Sequence, residues 1–239
     1  MKKGHMKIAI AGLYLSVFLI LIAFTLFGNK AISVISEKAV TDNGKCIIID
    51  AGHGDPDGGA TSCTGITESS LNLEISLRLA DLMQLLGMQT KQIRNTDTSV
   101  YTTGNTIASK KISDLKNRVA IINDTENAIV ISIHQNYYPD HRYSGAQVFY
   151  APSANSSQFA KQLQASLVQN LDPGNNRQAK SADGIYLMQH IQRPGILIEC
   201  GFLSNPSEEA KIRSASYQKK LCCVIAAETL AYIDYNSAA

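Results

Sequence analysis

Charge of either sign is sparse in this chain. Charged residues make up 18% of 239 positions and leave a net charge of +2. Lys2, Lys3, Lys7 and Lys30 supply +4 of that before the first acidic residue, which leaves about −2 for the rest. No basic stripe with interleaved aromatics is present, which argues against a nucleic-acid partner. Phosphate-cradling glycine patterns are missing as well: neither GxGxxG nor GxxxxGK followed by Ser or Thr occurs. The five cysteines, Cys46, Cys63, Cys200, Cys222 and Cys223, form no CxxC pair, which argues against a thiolate zinc knuckle. An exported location would permit disulfides, but small buried apolar side chains are the plainer reading for most of the five. From Lys45 onward there is no linker, repeat or low-complexity tract.

One long apolar run is present, at residues 8–28, preceded by lysines. Its length matches the ~20 residues that cross a bilayer and exceeds the ~7–15-residue apolar core of a signal peptide. The expectation is an uncleaved signal anchor with its N-terminus inside; a cleaved signal peptide is the alternative, with Ala31-Ile32-Ser33 as the best cleavage site. Residues 1–28 are then anchor or signal, 29–44 a tether and 45–235 a catalytic domain outside the cytoplasm.

Within 45–235, segments 46–50, 89–94, 129–134, 146–150, 185–188 and 195–199 are rich in Ile, Val and Tyr and read as strands. Helical spacing covers 68–86, through Leu71, Ile75, Leu79, Leu82 and Leu86, and also about 113–123, 156–171 and 217–233. Gly87 reads as a C-terminal cap, and Asn205-Pro206-Ser207-Glu208 as a helix start. The alternation predicts an α/β fold: a single twisted, mostly parallel (mixed) sheet of about six strands, with helices on both faces. Mixed direction is expected between the closely spaced strands at 185 and 199.

Histidine is scarce, five in all, yet two of them end apolar strands. Ile47-Ile48-Ile49-Asp50-Ala51-Gly52 delivers His53 between glycines, and Ile129-Val130-Ile131-Ser132-Ile133 delivers His134. Gly195-Ile196-Leu197-Ile198 delivers Glu199 in the same way. Open α/β sheets build sites from residues at the carboxyl ends of their strands. Glu68 lies two helical turns before Ile75, so it projects from its helix toward the protein. It is either a helix-dipole residue or a metal ligand. His53, Glu68 and His134 together make a donor set that suits zinc better than magnesium or calcium and leaves a position for water. Glu199 at the edge of an apolar core has its pKa raised by desolvation, as a general base and acid requires; an ion pair with Arg193 or Arg118 is its bland alternative.

At these residues the sequence resembles the zinc-dependent N-acetylmuramoyl-L-alanine amidase family. The resemblance runs in order through DAGHGDPDGGA (50–60), ESSLNL (68–73), IRNTD (93–97), NRVAII (117–122), ISIHQN (131–136), SGAQVFY (144–150), DGIYLMQ (183–189) and PGILIECGFLSNP (194–206). SGAQVFY and GIYLMQ, with a short N-terminal membrane segment, look most like its germination-specific sporulation members. The resemblance implies one zinc ion on His53, Glu68 and His134, with Glu199 as catalytic glutamate. The substrate it implies is peptidoglycan, cut at the amide between the lactyl group of N-acetylmuramic acid and L-alanine. For the sporulation type that cut prepares muramic-lactam formation in the spore cortex, between the forespore membranes, alongside a deacetylase; an activating lipoprotein is a further candidate partner. Ala51, Gln135 and Cys200 depart from commoner family residues, and none removes a group the mechanism needs.

Arg118, Asn136 and Arg177 are candidate substrate-binding residues. A vegetative cell-separation amidase is the alternative setting. A cysteine hydrolase using Cys200 with His190 or His134, and a non-catalytic membrane-tethered wall-binding module, are the competing classes.

Overall fold

The computed structural model describes residues 44–153 and 155–237. The expected anchor at 1–28 and the tether up to residue 43 lie outside the described residues. Among the described residues, no helix is long and apolar enough to cross a membrane.

The strands are β1 (Cys46–Ala51), β2 (Gln89–Gln92), β3 (Ala128–Asn136), β4 (Gln147–Tyr150), β5 (Lys180–Ser181) and β6 (Gly195–Phe202). The helices are α1 (Glu68–Leu85), α2 (Ile107–Asn123), α3 (Ser156–Leu171), α4 (Tyr186–His190), α5 (Pro206–Arg213) and α6 (Ala215–Ser237). The strands form one six-stranded sheet in the order β2-β1-β3-β6-β4-β5. β2, β1, β3 and β6 run parallel, while β4 pairs antiparallel with β6 and β5 follows β4.

Alternation along the strands fills both faces, since successive side chains point to opposite sides. Ile47, Ile49, Ile131, Ile133, Val148, Ile196 and Ile198 pack against α1, α3 and α6 through Leu71, Ile75, Leu79, Phe159, Leu163, Leu221 and Ile225. Ile48, Val130 and Leu197 pack on the other face against Ile122 of α2 and Leu187 and Met188 of α4. Burying each such side chain contributes roughly 1.5–3 kcal/mol. The sheet is therefore rigid where it presents its carboxyl edge.

Segment 185–188 is not a strand. Tyr186–His190 is the short helix α4, and the strand beyond β4 is instead β5, Lys180–Ser181. A four-residue apolar run carries no period long enough to separate the two; Leu187 and Met188 are consecutive yet both belong to the cluster on one face of the sheet, whereas a strand would send them to opposite faces. The mixed direction consequently arises at β4, whose link from β3 contains no helix and skips the place taken by β6. Helix α2 starts six residues earlier than its apolar stripe implies. Its start is set by capping: Thr106 accepts from the Ser109 N–H while the Ser109 hydroxyl bonds back to Thr106. Ile107 and Ile112 on its first turns remain exposed. Asn205 caps α5 as its sequence suggests, accepting from the Ser207 and Glu208 N–H groups at 2.9 and 3.2 Å.

Candidate active site

Three elements converge at the carboxyl edge. His53 follows β1, Glu68 is the first residue of α1 and His134 lies near the end of β3. Each offers one ligand atom, and these atoms all lie within 4.8 Å of one another. His53 Nε2 is 3.2 Å from Glu68 Oε2, and His134 Nδ1 is 3.0 Å from Glu68 Oε1. Glu68 is buried, and further donors fix both its oxygens. The Ala60 N–H donates to Oε2 at 3.0 Å; the Gln135 N–H and Asn72 Nδ2 both donate to Oε1 at 3.2 Å. The dipole role weighed for Glu68 is thus joined by direct contacts to both histidines.

Electrostatics at this point call for a cation. Burial opposes ionisation of Glu68, but hydrogen bonds from His134 and His53 outweigh it and hold the carboxyl well below its ordinary range. Burial would lower the His53 pKa, yet its bonds to Asp57 and Glu68 push it up to about 9. A proton on His53 therefore neutralises a buried carboxylate, a place a metal ion fills equally well. Two imidazoles and one carboxylate are a donor set that fits zinc. The backbone also leaves room there. A Cβ built on Gly52 would lie 2.2 Å from His134 Nε2, and one on Gly59 would lie 2.6 Å from Glu68 Oε2. Only glycine lets these two segments approach the donor set so closely.

His53 is oriented from both sides. Asp57 Oδ2 sits 3.0 Å from His53 Nδ1, which directs Nε2 toward Glu68. Lys111 Nζ pairs with the same Asp57 oxygen at 3.1 Å. The His53 backbone has a φ of 62°, rare for a residue with a side chain. Two buried guanidiniums hold the carbonyls around it. Arg94 donates to Ala51 O at 2.8 Å and to Gly52 O at 2.9 Å, while Arg118 donates to Ala51 O at 2.9 Å and to His53 O at 2.6 Å.

Arg118, a candidate substrate ligand by sequence, is 2% exposed and has every N–H engaged. It pairs with Asp50 and with Asp114, the latter at 2.6 Å from Nε. Burial alone would raise the Asp50 pKa, but Arg118 and a 2.6 Å bond from Ser132 Oγ bring it below its usual value. Arg118 therefore positions the His53 segment and has no donor left for substrate. Asn136 ends β3 two residues past His134, its Oδ1 accepting from the Tyr137 N–H at 2.8 Å. Arg177 is half-buried near the end of β6 and does not touch the metal set.

Glu199 is paired with His134 in the parallel β3–β6 register, so the two project from neighbouring strands to one face. Among the described residues, no cation forms an ion pair with it. Its Oε2 is buried without a hydrogen-bond partner. Burial, with the Glu68 charge adding, pushes its pKa up to about 7 against the opposing pull of His134 and His53. Such a carboxyl exchanges protons near neutrality. A cleft opens over this face, lined by His53, His134, Lys111, Leu115, Ile185 and Tyr186 among others.

The thiol alternative has no comparable geometry. Cys200 is 1% exposed, belongs to the core facing α1 and has its thiol pushed far up by burial. His190 stacks on Tyr186 at 3.9 Å and bonds its carbonyl oxygen. The five cysteines are all unpaired; Cys200 and Cys222 are core residues, whereas Cys63 and Cys223 are exposed.

Sequence reasoning missed Asp57, Arg94, Lys111 and Asn72. Only Asp57 carried a local signal, a carboxylate four residues after a glycine-flanked histidine. The others reach the site through folding alone.

A family model described as N-acetylmuramoyl-L-alanine amidase matches residues 47–228. The germination-specific N-acetylmuramoyl-L-alanine amidase of Bacillus subtilis is 41% identical over 192 residues, covering 80% of this chain and 80% of that protein. Among solved structures, the CwlD amidase from Clostridioides difficile in complex with the GerS lipoprotein matches with a TM-score of 0.76 at 36% identity, over 80% of this chain and 99% of that one. An N-acetylmuramoyl-L-alanine amidase from Clostridium difficile 630 matches with a TM-score of 0.69 at 30% identity, over 80% and 97%.

Proposed function

The chain belongs to the N-acetylmuramoyl-L-alanine amidase family, and from that premise we propose that it hydrolyses the lactyl–L-alanine amide of peptidoglycan during spore cortex maturation. One observation carries the chemistry: a His-Glu-His donor set within 4.8 Å, with the unpartnered Glu199 beside His134 in register. His53, Glu68 and His134 would hold a single zinc ion. When bound, zinc supplies Lewis acidity, polarising the amide carbonyl and lowering the pKa of water toward ~7.

The protein supplies the proton path and the alignment. Glu199 takes a proton as water attacks the carbonyl carbon. It then returns that proton to the departing amine of L-alanine, so the C–N bond breaks without expelling an amide anion. Asp57 and the Arg94–Arg118 pair keep His53 in its left-handed backbone conformation. Asn136, at the end of the same strand as His134, contacts the bound substrate.

The germination-specific relative at 41% identity supports the sporulation setting over vegetative cell separation. The retained donor set and Glu199 weigh against a wall-binding module without catalysis. The lipoprotein complex of the C. difficile relative supports a lipoprotein partner for this chain. We place the catalytic domain outside the cytoplasm, with residues 8–28 as its membrane tether.

Mass spectrometry of defined peptidoglycan digested by the purified protein tests the reaction. The expected product is free stem peptide, lost on chelation and restored by zinc. Cleaved glycan or cleaved cross-links instead, or activity indifferent to chelation, would overturn the assignment.

A further inference from the structure

Arg177 is fixed in place, but its charge is unmatched. Nε donates to the Ser144 carbonyl oxygen at 2.9 Å and Nη1 to Gln147 Oε1 at 3.2 Å. The guanidinium lies 4.6 Å from the Phe202 ring centroid and 5.9 Å from that of Tyr143. Among the described residues, no carboxylate stands within ion-pair distance of it or of Arg193, whereas Arg78, Arg94, Arg142 and Arg213 each have one and Arg118 has two. Glu208 reaches the same loop, but its carboxylate serves the Gly145 and Phe202 N–H groups and Lys211. No described group takes the Nη2 hydrogens.

Its place in the sheet matters as much as its charge. Gln147, which Arg177 grips, is paired with Glu199 in the β4–β6 register, and His134 is paired with Glu199 in β3–β6. His134, Glu199 and Gln147 thus form one row across three neighbouring strands, and Arg177 continues it. Glu199 and Gln147 sit on strands ~4.8 Å apart, and the Gln147 side chain carries the row on to the guanidinium of Arg177, in the loop before β5, roughly 10 Å from Glu199.

We propose that Arg177 anchors a carboxylate of the stem peptide, on the side of the scissile amide that departs. The inference rests on the amidase reading. Where the residue after L-alanine is acidic, its carboxylate lies about two extended residues from the scissile amide, roughly 7 Å. Side-chain length covers the remainder to a guanidinium at ~10 Å. A planar fork backed by aromatic rings is preorganised for a carboxylate, and the rings keep water off one face. Tyr143 and Tyr138, packed at 4.5 Å, wall the same place.

The test compares two muramoyl-peptides with the zinc-loaded full chain, one with the carboxylate next to L-alanine free and one with it amidated. The free acid is expected to have the lower KM by roughly tenfold to a hundredfold, as charge-assisted hydrogen bonds imply, with similar kcat. Arg177→Gln should raise KM for the acid alone and abolish the discrimination, while Arg177→Lys should restore part of it. Equal kcat/KM for the two substrates with the unaltered protein overturns the proposal without any variant. So does an Arg177→Gln protein that loses both substrates equally, which would make Arg177 a brace for the 144–147 turn. If the unaltered protein cleaves neither substrate, the amidase reading itself falls, and the anchor with it.

Discussion

Replacing Gly52 by alanine adds one methyl group and should disable the proposed metal site. The backbone at Gly52 is outside the left-handed region, so alanine meets no conformational penalty there. The obstacle is steric. The new Cβ would lie 2.2 Å from His134 Nε2, 2.3 Å from Cε1 and 2.7 Å from Cδ2, where ordinary contact begins at 3.4 Å. The deficit is 3.4 − 2.2 = 1.2 Å. The backbone cannot retreat easily, because the Gly52 carbonyl is held by Arg94 Nη2 at 2.9 Å and Asn72 Nδ2 at 3.2 Å. His134 must therefore move by about 1 Å. Displacements of that size cost on the order of 10²-fold in rate, and lost ligand support costs about 10–100-fold in metal affinity. Gly52→Ala should accordingly weaken zinc binding by about 10–100-fold in a chelator competition and lower kcat/KM on muramoyl-peptide by about 100-fold at saturating zinc. Gly174→Ala is the control, since its nearest neighbour would be Asp172 Oδ1 at an ordinary 3.7 Å. A Gly52→Ala protein that binds zinc and turns over like the unaltered one would refute the convergence of β1 and β3 on a single ion.

Glu199→Gln should keep zinc affinity and lose about 10²–10⁴-fold in kcat, read by calorimetry and by product release; retained turnover removes Glu199 as the proton carrier. Arg118→Met leaves Asp50 and Asp114 buried without their partner and should destabilise the fold by about 3–5 kcal/mol in urea unfolding. A loss under ~1 kcal/mol would mean the triad is not a unit. The same carboxylate sets an acid limit. Asp50 titrates lower in the folded chain than its unfolded value of ~3.9, so its contribution is fully present above ~4 and disappears as pH falls through the folded value. Ser132→Ala removes a 2.6 Å hydrogen bond to Asp50 and should bring acid unfolding to a higher pH, followed by circular dichroism. Identical acid profiles would show that this bond does not set the limit.

The strands that carry function were readable because their signal is local. Ile47-Ile48-Ile49, Ile129-Val130-Ile131 and Ile196-Leu197-Ile198 are apolar throughout, as strands buried on both faces must be, and each run leads within a few residues to His53, His134 or Glu199. Segment 185–188 shows the limit. Its composition suits a strand, and only the apolar surface beneath the sheet makes it a helix. Helix α2 shows another, since its start depends on a Thr-Ser capping pair that apolar spacing does not register.

Residue type and position along the chain, by themselves, singled out the His53-Glu68-His134 cluster and Glu199, the residues proposed as donor set and proton carrier, because strand ends and a helix start fix where those side chains emerge. What Arg118 does was decided by tertiary structure. A sequence places it on a helix, but only the packing of α2 against the sheet buries it between Asp50 and Asp114 and turns it onto the His53 carbonyl. Asp57, Lys111 and Arg94 likewise acquire their roles from contacts made in space, and so does Arg177, whose place beyond Glu199 depends on β4 pairing antiparallel with β6. Local chemistry can be read from local sequence; hydrogen-bond partners dozens of residues apart are set by how the layers stack.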